Sequence, residues 1–307
     1  MAVSETTLKS VIVLVMNRQK LKIIAALGLL AIVIGLFINY VHGHPAMIQE
    51  LRHLNPWLIV VLLLAYGILS LWLLGIYNAT LRLCGEPLPA NENLLLGIYS
   101  MLANFFLPLQ SGPGVRAAYL KRRHKVSVSA YLLANMVYYG IYAVISAAFI
   151  FSASRYWWLG IPAALGAGLF SILVIMFATK KILKNTSINN LDLSRANLTR
   201  LTFMTLGQVA TIALIFGIEL HSLHLAHDSI RQVLSYTGTA NFALFVALTP
   251  GAIGFREAFL EFGRSLNHFT TANILAASLI DRSVYLVFLG ILFVIMLATH
   301  ARNRLKI

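Results

Sequence analysis

Long apolar runs alternate with short polar clusters along this chain. Six of the runs reach the roughly 20 residues a helix needs to cross a bilayer: 21–41, 56–80, 128–151, 156–178, 200–220 and 271–298. The stretch "LKSVIVLVM" at 8–16 is too short to cross and predicts an interfacial helix over 8–20. Two further apolar stretches, 94–109 and 229–253, end in "PLQSGPGVR" and "TPGAIGFRE". Clustered Pro and Gly interrupt a helix, and irregular backbone at membrane depth needs protein or a polar cavity around it. Both stretches therefore predict re-entrant hairpins that enter and leave on one side.

The interruptions resemble one another. "GVRAAYL" at 114–120 returns as "GFREAFL" at 254–260, each after an Asn-Phe pair (Asn104-Phe105, Asn241-Phe242). Each precedes a span opening A-x2-L-A, Ala130 to Ala134 and Ala272 to Ala276. The units are span, hairpin, span: 56–151 and 200–298. Three crossings separate the two motifs, so the halves are expected in opposite orientations, as in transporters built on inverted repeats with broken helices. The predicted fold is an all-α polytopic membrane protein, one membrane domain over 1–307, with six full transmembrane helices plus two re-entrant helical hairpins arranged as inverted repeats.

Composition agrees with a membrane protein: 59% of residues are hydrophobic, 11% are charged and the mean hydropathy is +0.80. The net charge of +14 arises from clusters between apolar runs, without the signatures of nucleic-acid binding. Four regions, the N-terminal tail, 82–125, 180–200 and the C-terminal tail, hold 18 of the 24 Lys and Arg residues. With both hairpins re-entrant, all four fall on one side, which predicts an inner-membrane protein with both termini cytoplasmic. The single cysteine, Cys84, excludes an intrachain disulfide and is expected as a buried free thiol.

Candidate chemistry gathers at the interruptions. Arg116 and Arg256 stand at equivalent places, where a helix N-terminus and a guanidinium together suit phosphate oxygens; the alternative for each is a snorkelling arginine at headgroup level. Glu257 stands at the second break, placed either to balance Arg256 or to exchange protons with the outer side. Asp281 and Arg282 lie near mid-membrane depth in the last span, either as a structural ion pair or around the same polar centre. Asn104 is a candidate substrate contact. Gly112, Pro113, Gly114, Pro250, Gly251 and Gly254 are expected to hold the backbone open. Glu261 with Arg264 reads as helix pairing, and Asn135, Gln208, Glu219 and Asn241 as interhelical hydrogen-bonding groups. "KRRHK" at 121–125 reads as a cluster touching anionic headgroups. The histidines show no metal-ligand pattern, and no catalytic motif or acidic nucleotide-binding cluster is present, so neither enzyme activity nor a cofactor is expected.

"NFFLPLQSGPGVRAAYLKRR" (104–123), "TPGAIGFREAFL" (249–260) and "AASLIDRSVYLV" (276–287) resemble the transmembrane, flippase-like region of lysylphosphatidylglycerol synthases and their stand-alone relatives. Pro250, Gly251, Ile253, Gly254, Glu257 and Arg282 match the family's second motif. The first half departs from it: "NMVYYGIY" at 135–142 stands where the family often carries a charged pair. In the synthases, the resemblance implies, this region moves an aminoacylated phospholipid between leaflets while a separate soluble domain attaches the amino acid. The sequence ends at Ile307 without such a domain and is expected to be a stand-alone member.

The expected function is lipid transport, flippase- or scramblase-like, on an anionic or aminoacylated phospholipid or a polyprenyl-linked lipid. The alternative is a non-transporting subunit of a lipid-modifying enzyme or glycosyltransferase. The expected partners are membrane lipids with anionic headgroups, with a lipid-modifying enzyme and a second copy of the chain as candidates and nucleic acid excluded. Replacing Arg256 by Ala is expected to abolish transport and leave folding intact.

Overall fold

A computed structural model describes residues 55–107, 111–182, 191–223, 230–246, 255–263 and 269–304, with Gly35, Ile38, Asn39 and His42. Residues 1–49 form a unit of their own; the fold is that of residues 50–307. Among the described residues it is all helical: α1 (Pro56–Leu83), α2 (Ala90–Phe106), α3 (Gly112–Arg123), α4 (Val128–Ile150), α5 (Gly160–Phe177), α6 (Arg195–Ser222), α7 (Ile230–Val246), α8 (Phe255–Phe262) and α9 (Thr271–Arg304).

Five predicted spans are long and apolar enough to cross a membrane: Pro56–Leu83, Val128–Ile150, Trp157–Lys180, Arg195–Ser222 and Thr271–Ala298. The predicted span 21–41, apart from three isolated positions, and the interfacial helix 8–20 lie outside the described residues. Local chemistry sets several boundaries. Asn55 accepts a hydrogen bond from the Trp57 N–H at 3.0 Å and caps α1, with Pro56 supplying its first residue. Beyond α1, Gly85 has a φ of +79°, a left-handed conformation that suits glycine and turns the chain toward α2. Cys84 is free but half-buried, not buried as expected, because it sits in that exposed turn.

Helices α2 and α3 fold back on one another. The Gly112 N–H donates to Asn104 Oδ1 at 2.7 Å where the arms meet. At the far end Glu92, in the first turn of α2, takes hydrogen bonds from the Tyr119 hydroxyl and from His124 at 2.8 Å. The start of α2 thus lies beside the end of α3. At 1.5 Å per residue the 17-residue and 12-residue arms are about 26 and 18 Å long, short of a full crossing. Helices α7 and α8 pack as the corresponding pair, with Gly263 so close to Thr239 that an added Cβ would lie 2.7 Å from its Cγ2. Between these arms, residues 247–254 are outside the described set, and with them the predicted break residues Pro250, Gly251 and Gly254.

The two hairpins meet opposite ends of α4. Leu120 of α3 packs with Tyr131 near the start of α4. At its end, Ser235 of α7 donates to the Ile150 carbonyl at 2.5 Å, and a Cβ on Gly238 would come within 2.7 Å of the Ser146 carbonyl. The Asp192 N–H donates to the Leu83 carbonyl at 2.8 Å, so the end of α1 adjoins the segment leading into α6.

Helix contacts come in matched sets. α1 packs on α6; α4 reaches the second hairpin through α7, and α9 reaches the first through α2. α4 also packs on α6 as α9 does on α1, and α1 touches α4 as α6 touches α9. Helix α5 stands apart from this scheme, packed chiefly on α4, with only Gly160 buried along its length. Its apolar remainder suits contact with lipid.

Candidate functional site

The sequence-predicted residues collect into two centres, not one. In the first, Arg116 is the fifth residue of α3 and only 4% exposed. Its guanidinium carbon lies 3.6 Å from the centre of the Tyr77 ring of α1 and 5.8 Å from that of Tyr131 of α4. A desolvated cation on an aromatic face gains on the order of 2 kcal/mol, far less than charge burial costs in a dry site. Arg116 Nε and Nη1 are buried without hydrogen-bond partners, as are Ser100 Oγ and the Tyr131 hydroxyl. Among the described residues no carboxylate pairs with Arg116. This is a buried positive charge with donors to spare.

The second centre is internally balanced. Arg256 of α8 pairs with Asp281 of α9, which also takes a hydrogen bond from the Tyr66 hydroxyl of α1. The next residues pair in parallel: Arg282 Nη2 lies 2.7 Å from Glu257 Oε1, and Ser278 donates to the same carboxylate. Phe216 of α6 lies under the Arg256 guanidinium, 4.7 Å from ring centre to carbon. Arg256 therefore sits on an α6 aromatic as Arg116 sits on an α1 aromatic. Glu257 balances Arg282 where the sequence suggested Arg256, because consecutive residues on α8 face consecutive residues on α9. Glu219 of α6, wholly buried, completes this centre.

Asp281 touches Tyr66 and Arg116 covers Tyr77, eleven residues further along α1. Eleven helical residues span about 16 Å. The two arginines thus belong to separate sites at different depths. Asn104 joins the first site indirectly, by holding Gly112 and so the start of the helix that carries Arg116. Gly112, Pro113 and Gly114 form the first turn of α3 instead of holding the backbone open; α2 ends at Phe106, so the gap precedes them. Proline suits that first turn because its missing N–H is one the helix leaves unbonded anyway.

Sequence reading missed the aromatic framework. Tyr131, Asn135, Tyr138 and Tyr142 are buried along one face of α4, at i, i+4, i+7 and i+11. Tyr138 donates to Gln208 of α6 at 3.0 Å and its ring lies 6.0 Å from that of Tyr142. Tyr131 faces Arg116 and Tyr142 is within electrostatic reach of Arg256. The departure "NMVYYGIY" thus supplies Asn135, Tyr138 and Tyr142 to a file of polar groups that Tyr131 begins between the two centres. Its spacing was the available signal, although tyrosine in an apolar span reads first as packing.

No group of three metal-ligating side chains occurs among the described residues. The sequence matches the profile of the lysylphosphatidylglycerol synthase TM region over residues 23–292. The chain belongs to this family. No curated protein and no solved structure matches it. As a member of the lysylphosphatidylglycerol synthase TM family it is a helical membrane protein, and the match takes in both arginine centres and the file of tyrosines.

Proposed function

We propose that this chain carries an anionic lipid between the leaflets of the inner membrane, and that the lipid phosphate binds Arg116. One observation carries the reading: Arg116 is a buried cation to which no described carboxylate is paired, whereas Arg256 is neutralised by Asp281. A donor-only site favours an anion, and guanidinium forks suit phosphate oxygens. The substrate class is a phospholipid, aminoacylated or plain, or a polyprenyl-linked phosphate lipid. Catalysis is not part of this reading.

The matched contacts and the two hairpins at opposite ends of α4 support inverted repeats, 56–151 and 200–298, with both hairpins re-entrant. On that topology both termini are cytoplasmic. The headgroup passes between the arginine depths along the α4 tyrosines, whose hydroxyls replace part of its water. The family's association with a synthase supports the second reading, a membrane subunit serving a lipid-modifying enzyme.

The deciding experiment reconstitutes the protein in vesicles with fluorescent phosphatidylglycerol and follows its loss from one leaflet. Arg116→Ala is expected to abolish movement, with Arg116→Lys intermediate because the charge remains and the fork is lost. Wild-type movement that persists in Arg116→Ala would overturn the phosphate assignment. A wild type that moves no lipid but co-purifies with a lipid-modifying enzyme would favour the subunit reading.

A further inference from the structure

The second centre contains an acid that neither its packing nor the lipid reading uses. Glu219 lies on α6, inside the bundle, with 0% exposure, and both its carboxylate oxygens are buried without a hydrogen-bond donor. It faces Asp281, with which it interacts, and Arg256. Every helix packed around it contributes a titratable or charged group: α1 brings Tyr66, α4 brings Tyr142 on the Arg256 side, α7 brings Tyr236, α8 brings Arg256 and α9 brings Asp281.

The charges do not close. Arg256 offers one positive charge, and Asp281 takes it in a direct ion pair. Arg282, the next cation along α9, is held by Glu257. Glu219 as a carboxylate would be an unpaired negative charge beside another carboxylate, away from water, which costs several kcal/mol in real proteins. Two facing carboxyl groups are both acceptors, and one proton turns the repulsion into a hydrogen bond. The same proton gives the Glu219 oxygens the donor they lack.

We propose that Glu219 and Asp281 form a proton-binding site, distinct from the anion site at Arg116, in which one exchangeable proton resides on Glu219 and joins it to Asp281. Asp281 is the access point: its side chain keeps 12% of its surface open while Glu219 keeps none. A proton arriving at the Asp281 carboxylate passes to a Glu219 oxygen, leaving Asp281 ionised against Arg256. Release runs in reverse, and no other bond changes. The neutral centre becomes singly negative when the proton leaves, which loosens Arg256 from exclusive service to Asp281. Resting on the lipid reading, this gives a proton gradient a point at which to act on transport.

Infrared spectroscopy of the purified chain tests the site directly. At neutral pH exposed carboxyls are ionised, so a protonated-carboxyl stretch that shifts in D2O reports a buried acid. We expect this band in the wild type, its loss in Glu219→Gln and its retention in Glu257→Gln. Glu219→Asp, which keeps the acid, is expected to move the band rather than remove it and covers the case in which the Gln variant does not fold. Absence of the band from the folded wild type, or an unchanged band in Glu219→Gln, would overturn the proposal. In vesicles bearing fluorescent phosphatidylglycerol, an imposed pH gradient is expected to change the wild-type rate; movement indifferent to the gradient would overturn the coupling. A wild type that moves no lipid counts against the transport reading, while the infrared band still decides the proton site.

Discussion

At the scale of single residues, the two arginines that the repeated motif makes equivalent have opposite electrostatic surroundings. Arg256 lies in an ion pair with Asp281, whereas Arg116 has tyrosine rings and unbonded donors around it. Aligning the A-x2-L-A openings of α4 and α9 puts Tyr139 and Gly140 where the second half has Asp281 and Arg282. The half without that charged pair is the one whose arginine has no counter-ion among the described residues. Variants should separate the roles. Removing one member of a buried pair strands the other, at a cost of about 3–5 kcal/mol. Arg256→Ala, which leaves Asp281 beside Glu219 without a cation, is therefore expected to lower the melting temperature in detergent sharply, and Asp281→Ala less, because Glu219 can ionise in its place. The sequence-based expectation that Arg256→Ala leaves folding intact does not survive the pairing with Asp281. The double change Arg256→Met with Asp281→Leu should recover most of the loss, and a melt as low as that of Arg256→Ala alone would show that the pair is not the cause. Arg116→Ala should leave the melt unchanged or raise it, since it removes a buried charge without stranding a partner.

At the scale of elements, the hairpins depend on close approach and on caps. A Cβ at Gly112 would lie 2.6 Å from the Ser100 carbonyl oxygen, so Gly112→Ala should push the arms of the first hairpin apart. At Gly114 the same atom would meet nothing within 4 Å, and Gly114→Ala should stabilise α3 by up to about 1 kcal/mol through helix propensity. Thermal melts of the two variants, moving in opposite directions, would check this. The other end of the hairpin carries a pH dependence. Burial raises the Glu92 pKa, but the hydrogen bonds from Tyr119 and His124 and the positive charges of His124 and Arg123 outweigh it, leaving the group below the ordinary 4.5. A depressed carboxyl stabilises above its unfolded-state pKa and loses that contribution as pH falls through the folded value. Backbone exchange in residues 90–94 and 119–124 should thus rise on acidification below pH ~4.5, and Glu92→Gln should remove the acid-dependent part. The hairpin pattern was legible in the sequence because Pro and Gly interrupt apolar runs. Where the gap falls was not, since Gly-Pro-Gly serves equally as a break or as the first turn of a helix, and contacts with Ser100 and Asn104 select the latter.

At the scale of the whole molecule, α4 packs on α7 of the second hairpin and α9 on α2 of the first, around the α1–α6 pair. The bond between Asp192 and Leu83 joins the end of α1 to the segment leading into α6, while Arg155 follows the end of α4 away from the first hairpin. In a Cys84→Ser background, cysteines at Arg122 and Ser194 should react with a membrane-impermeant thiol reagent only from the cytoplasmic side, and a cysteine at Arg155 only from the other. Labelling of all three from one side would break the topology.

Hydropathy and the repeated Gly-x-Arg motif determined, by themselves, a helical membrane protein with five of its predicted spans in place, Arg116, Arg256 and Glu257 at the hairpins, and Asp281 and Arg282 inside the last span. Those signals are local, because bilayer thickness and backbone chemistry act on each segment separately. Pairing is not local. That Arg256 turns to Asp281 and Glu257 to Arg282, that Arg116 stacks on Tyr77 and that Glu219 completes the second centre depend on helices brought together from distant parts of the chain. Only tertiary packing decides which buried charge meets its opposite, and so which is left to bind something else.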